Sequence, residues 1–218
     1  MIKETIKSEG EGAAPKRSRR IQERTETARN NLMTAATPMF AEQGFDAISA
    51  RDIEAVAKVN RGMLAYHFGS KDDLWKAVAD NIFKALNAAL EQRLLIIKEV
   101  SKREGVALLI RFHVRYYAEH PELSRLMSQE ARQDSWRIRY LTDAHVRPSV
   151  TNIKKYIAKE LKLTDQQFAH WYYIMVSASA TIFSFESECK MLFGFNPISE
   201  ESIIRHAEML VGMLLKDS

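Results

Sequence analysis

The sequence predicts an all-α fold. Of its 218 residues only eight are Gly and five are Pro, while Ala, Leu, Ile, Glu, Lys and Arg dominate; this composition favours helices. Apolar residues recur at three- and four-residue spacing in one segment after another, and no period-two run marks a strand. A hydrophobic content of 46% and a charged content of 28% are those of a folded globular chain, not of a disordered or disulfide-stapled one. The most apolar segment, Tyr172 to Phe185, ends at Glu186 before reaching the roughly 18 to 20 residues a span requires, so no membrane partner is expected. The first twenty residues lack the apolar stretch of a secretory signal. Cys189 stands alone, which excludes an internal disulfide and agrees with a cytoplasmic location.

Leu32, Ala36, Met39 and Phe40 define a first helix over residues 24–43, closed by Gly44, with a kink expected at Pro38. Ser49 and Asp52 have capping-box spacing and open a short second helix through Ile53, Val56 and Ala57. Lys58, Val59 and Asn60 form a tight connection to a third helix of barely two turns, from Arg61 to His67, with Leu64 and Phe68 turned inward. Two short helices about such a turn make a helix-turn-helix. Ser70, followed by Asp72 and Asp73, caps a long fourth helix carrying Leu74, Val78, Ile82, Leu86, Leu90, Leu94 and Ile97. At ~1.5 Å per residue its roughly 28 residues span ~40 Å, enough to join two domains. Further helices are predicted over 103–119, 122–132, 144–161, 165–188 and 199–216, with Thr164 and Ser199 as caps and a loop over 189–197.

Charge is distributed unevenly. From Pro15 to Lys71 there are seven Arg and three Lys against six acids, so this stretch holds the whole net charge of +4. Its densest run is Lys16, Arg17, Arg19 and Arg20. That run follows a leader without periodicity, and residues 1–20 read as a flexible basic arm; solvation alone would also account for it.

The block AATPMFAEQGFDAISARDIEAVAKVNRGMLAYHFGSKDDLW, from Ala35 onward, resembles the TetR family of bacterial transcriptional regulators, whose pattern includes FAEQGF, S-x-R-D-I-A and Y-x-H-F-x-S-K-x-x-L. The resemblance covers about fifty residues. It implies an N-terminal three-helix helix-turn-helix DNA-binding domain (21–72) joined by a long helix to a helical ligand-binding and dimerisation domain (73–218). By that likeness Ser49 and Arg51 touch backbone or bases, and Asn60, Arg61, Gly62 and Met63 open the recognition helix. Arg61 can bond guanine O6 and N7, Asn60 can bond adenine, and Gly62 permits close approach of the backbone. Tyr66, His67 and Lys71 correspond to phosphate-contacting positions, and the basic arm would add phosphate or minor-groove contacts. Ala65 and Val59 depart from the family's usual residues, which puts individual contacts in question. Tyr66 and His67 can also be read as packing residues, and Phe68 is read so.

In the C-terminal half, Phe112, His113 and Tyr116 on one helix, Met127 and Glu130 on the next, and Trp171, Met175 and Phe183 on a later one are candidate ligand-binding residues, because a pocket needs polar groups on apolar walls. An ordinary helical core has the same composition. The resemblance implies that the last two long helices pair with those of a second copy, their wide apolar faces and small Ala178, Ser179 and Ala180 permitting close approach. A buried intrachain role for those faces is the alternative.

No catalytic constellation is present. His67, His113, His120, His145, His170 and His206 include no pair at metal-binding helical spacing, and there is no phosphate loop, dinucleotide fingerprint or nucleophile elbow. The expectation is a non-enzymatic, cofactor-free and metal-free regulator, a repressor that binds a palindromic operator in double-stranded DNA as a homodimer and is released by a small-molecule effector. The alternative is an effector-independent architectural or adaptor protein of the same fold.

Overall fold

The computed structural model describes residues 16–97 and 99–215, with side chains from residue 23 onward, and among these residues there is no strand. The helices are α1 (Lys16–Gln43), α2 (Ala50–Val56), α3 (Met63–Phe68), α4 (Lys71–Ile97), α5 (Lys102–Glu119), α6 (Pro121–Glu130), α7 (Trp136–Leu141), α8 (Arg147–Glu160), α9 (Asp165–Ser184), α10 (Glu186–Phe193) and α11 (Glu200–Leu214). A π-helical segment, Thr142–Val146, joins α7 to α8.

The first helix begins eight residues earlier than the periodicity suggests. After Pro15 come strong helix formers and no glycine before Gly44, so nothing stops the helix from nucleating at Lys16. This corrects the boundary of the expected arm. Residues 1–15 of it lie outside the described residues, while Lys16, Arg17, Arg19 and Arg20 fall in the first turns of α1, their side chains outside the description. The helix runs on through Pro38 and ends where Gly44 adopts φ +82°.

Around α1 fold α2, α3 and the first turns of α4, with Leu32, Phe40, Ile53, Leu64, Leu74 and Trp75 sealed between them. The remaining helices build onto the second half of α4 through α5. There α5 packs against α4, α9 and α11, and α1 lies along α6. The core is continuous from one half to the other. Helix α4 is therefore a wall of both.

Caps place most of these boundaries. Ser49 and Asp52 form the expected reciprocal box, the Ser49 hydroxyl accepting from the Asp52 amide at 3.2 Å and the carboxylate accepting from the Ser49 amide at 2.8 Å. Thr164 and Gln167 form a second box at α9, and Ser199 caps α11. The sequence reading missed α7, although Ser135 caps it through the Ile138 amide at 3.3 Å. The single helix expected over 165–188 is two: Phe185 leaves helical geometry at φ −108° and ψ 37°, and α10 then occupies Glu186–Phe193, running from the end of that expected helix into the stretch 189–197 read as a loop.

Candidate nucleic-acid interface and cavity

The helix-turn-helix is assembled on a buried carboxylate. Glu54, on α2, is 6% exposed, and its Oε1 accepts from the amides of Gly62 and Leu64, both at 2.9 Å. Those amides are free donors at the start of α3, so one oxygen fixes α3 to α2. Lys58 ends α2 in the left-handed region at φ 55°, and Gly62 opens α3 at φ +89°. Nothing stands within 4 Å of where a Gly62 Cβ would project, so backbone geometry and not crowding selects glycine. The expected helix start at Arg61 moves to Met63 for this reason.

Asn60 and Arg61 consequently sit in the turn, exposed, with Arg61 free of partners among the described residues. Ser49, Arg51 and Gly62 are exposed beside them, Met63 is half-buried, and Tyr66 on the outer face of α3 is 72% exposed. This surface offers guanidinium, amide and phenol groups on two short, rigid helices, a shape and chemistry suited to a DNA major groove. His67 does not share it fully. The ring is half-buried, and Nε2 is enclosed without a partner between α3 and its surroundings. Lys71 is also turned inward: Nζ donates to the carbonyls of Phe45 at 3.0 Å and Ile48 at 2.9 Å and lies 3.9 Å from the centre of the Phe45 ring. That leaves it one N–H for anything outside.

A second feature lies among α4, α5, α6, α8 and α9, where a cavity of about 610 Å³ opens. Of the candidate ligand residues, His113 and Met127 line it and the others do not. Glu130 is buried against Arg137, its Oε2 accepting from Nε at 2.7 Å. Tyr116 stacks on His120 at 4.4 Å, and Phe112 lies under the Arg93 guanidinium. Trp171, Met175 and Phe183 fill the packed interior behind the cavity wall. Helical spacing placed these side chains on apolar faces, but a face several residues wide touches core on one edge and void on the other.

Sequence reasoning missed the residues that do shape the void. Phe83, Leu86 and Leu90 of α4, Tyr117 of α5, His145 and Tyr172 are among its lining. Burial pushes the Tyr172 phenol up to about 12 and the Tyr117 phenol higher still, so both stay protonated. Burial likewise pushes the His113 imidazole down, against the opposing hydrogen bond to Leu109, so it stays neutral.

Between the two features stands a hydrogen-bonded node. Asp80 on α4 accepts from the Tyr140 hydroxyl at 2.6 Å and pairs with His145 Nε2 at 2.9 Å. The Tyr140 phenol is pushed up to about 12 by burial and by that carboxylate. His145 belongs to the π-helical segment and stacks on Phe83, ring centres 5.0 Å apart. One turn toward the helix-turn-helix, Trp75 meets Trp136 edge-on at 5.2 Å.

Comparison with known proteins agrees with this arrangement. The HTH-type transcriptional repressor NicS of Pseudomonas putida is 29% identical over 108 residues, 50% of each chain. The HTH-type transcriptional repressor Rv3405c of Mycobacterium tuberculosis is 43% identical over 79 residues, 35% of this chain and 42% of the relative. The chain thus matches about half the length, or less, of these relatives. The crystal structure of AibR in complex with isovaleryl coenzyme A and operator DNA has the same fold, with a TM-score of 0.65 at 16% identity over 86% of this chain and 98% of that one. Residues 32–78 match the family model for bacterial regulatory proteins of the tetR family, so the helix-turn-helix domain of this chain is of the tetR type.

Proposed function

We propose that the protein is a ligand-responsive transcriptional regulator, a repressor that binds a palindromic operator as a homodimer and releases it when a small molecule occupies the cavity. The observation that carries this reading is α4. Its first turns pack under the helix-turn-helix through Leu74, Trp75 and Val78, and its later turns line the cavity through Phe83, Leu86 and Leu90. A ligand that displaces α4 changes the separation of two recognition surfaces, which must stay near ~34 Å to enter successive major grooves. It shifts the population by as much as it prefers the displaced form.

Asn60, Arg61 and Met63 are proposed to read bases, with Ser49, Arg51 and Tyr66 on the backbone. Lys16, Arg17, Arg19 and Arg20 are proposed as further phosphate contacts at the start of α1. Support for the homodimer comes from apolar side chains exposed on the last long helices: Tyr173 and Ile174 of α9, and Ile204, Met209 and Met213 of α11. The cavity supports an effector over the effector-independent alternative.

Selection of sites from a random duplex pool at near-physiological salt tests the proposal. A palindrome bound roughly 10³-fold or more above scrambled DNA is expected. Salt-sensitive binding with no recovered motif would refute it.

A further inference from the structure

The cavity wall is almost free of charge. Charged lining residues are confined to one rim, Glu42, Arg125 and Arg132, and Arg125 is already paired with Glu42 at 3.3 Å. The lining also includes His113, Tyr117 and Tyr172, together with apolar Phe83, Leu86, Leu90 and Val176. A full charge placed there would lose its hydration with no counter-ion to replace it.

Three polar atoms of this wall have no protein partner among the described residues. His113 is 4% exposed, and its Nδ1 lies 2.8 Å from the Leu109 carbonyl. A carbonyl only accepts, so Nδ1 carries the proton and Nε2 is left as a bare lone pair. Neutral histidine is the form that burial favours here. Among the described residues, the buried side-chain polar atoms without a partner are His67 Nε2, Trp75 Nε1, Glu130 Oε1 and Trp171 Nε1. His113 Nε2 is not one of them, because the void reaches it. Tyr117 and Tyr172 likewise line the void, their hydroxyls without a hydrogen bond among the described residues, and the Tyr172 phenol is close enough to add to the rise that burial gives the Tyr117 phenol.

An acceptor that cannot donate, beside two hydroxyls that can do either, is complementary to one kind of group. A ligand hydroxyl gives its proton to His113 Nε2 and accepts from a tyrosine. A carboxylate has no proton to give and would be an unpaired charge. An ether or ketone can accept from tyrosine but leaves Nε2 bare. Resting on the ligand-responsive reading above, we propose that the cavity selects a neutral hydroxyl-bearing molecule with an apolar ring body, a phenol or ring alcohol, whose hydroxyl donates to His113 Nε2.

Calorimetric titration of the full-length protein with 2-naphthol, its methyl ether 2-methoxynaphthalene, and decanoate tests this. The ether keeps the ring body and loses the donor; decanoate brings an apolar chain with an anionic head. Binding of 2-naphthol about tenfold or more tighter than the ether is expected. The advantage should disappear in His113→Phe and shrink in Tyr117→Phe. Equal affinity for naphthol and ether in the unaltered protein, tighter binding of decanoate than of naphthol, or no binding of naphthol at millimolar concentration would each overturn the proposal, whether or not the variants fold. Affinity for the selected duplex, measured on the same preparation, separates the two claims. A recognised duplex with no preference for naphthol refutes the hydroxyl assignment alone, and a naphthol preference without any recognised duplex refutes the regulator.

Discussion

Replacing Glu54 tests whether the helix-turn-helix depends on the carboxylate beneath it. In Glu54→Ala two amides lose their acceptor. The Leu64 amide belongs to a residue 2% exposed and cannot find water, so its loss costs the full desolvation penalty of ~1 to 3 kcal/mol. Gly62 is exposed and its amide rehydrates in part, adding about 1 kcal/mol. A total of about 2 to 4 kcal/mol follows, a large share of the ~5 to 15 kcal/mol that holds a domain together. Glu54→Gln separates charge from geometry. Both amides bond the same oxygen, Oε1, and an amide carbonyl can take that place, so only the charge assistance is lost, about 1 to 2 kcal/mol for the pair. Hydrogen exchange at Leu64 reads the effect locally: exchange should accelerate roughly 30-fold or more in the alanine variant, at ~1.4 kcal/mol per tenfold, and distinctly less in the glutamine variant. Urea unfolding reads it globally. An alanine variant within about 0.5 kcal/mol of the parent with unchanged Leu64 exchange, or a glutamine variant as damaged as the alanine one, would refute the reasoning.

Four further expectations follow from the same geometry. Arg61→Ala should cost ~1 to 3 kcal/mol at one operator position and little on scrambled DNA, whereas Lys71→Ala should lower folding stability by about 1 to 3 kcal/mol through the Phe45 and Ile48 carbonyls it abandons; equal losses on both duplexes for Arg61→Ala, or a fully stable Lys71→Ala, would contradict these roles. Gly62→Ala should destabilise by ~1 to 2 kcal/mol from its positive φ, and Gly62→Asn by less, as thermal unfolding of the two can decide. Glu208 on α11 is held below its ordinary value of 4.5, chiefly by its hydrogen bond from Arg111 on α5. Its contribution is therefore complete above pH 4.5 and is lost as pH falls through the lower folded value; Glu208→Gln should flatten the acid limb of the stability profile and leave its shape near neutrality unchanged.

Much of this arrangement is legible in the sequence because local chemistry fixes it. Ser49 with Asp52, Thr164 with Gln167 and the run from Leu74 to Ile97 are signals whose partners lie within a few residues, and α2, α9 and α4 begin where those signals put them. Glu54 was not legible. Its partners, Gly62 and Leu64, lie eight and ten residues away across a left-handed turn, and nothing in the composition of α2 distinguishes a buried acid from a solvated one. The cavity failed for a related reason. Periodicity separates inward from outward, but packed core and empty space are both inward. Phe183 and Tyr172 share one helix, yet Phe183 meets His206 edge-on in the core while Tyr172 borders the void.

The Asp80 node shows why the two features need not be independent. Asp80 ties α4 to both ends of the π-helical stretch, through Tyr140 before it and His145 within it. A π segment is a costly insertion in a helix, and such segments are commonly retained where function needs them. Here it brings the His145 ring against Phe83 while keeping Nε2 on Asp80. A molecule in the cavity touches the stacked pair at its exposed edge. If the pair gives way, either His145 leaves Asp80 or Asp80 moves with it, and Asp80 is part of the same rigid helix as Trp75, which underlies the helix-turn-helix. The first outcome leaves a carboxylate short of a partner; the second moves α4. Loss of His145 leaves this partly buried carboxylate with the Tyr140 hydroxyl alone, whereas movement of α4 with the node keeps both bonds. On the ligand-responsive reading, the node thus converts occupancy of an apolar cavity into displacement of the helix that underlies the helix-turn-helix.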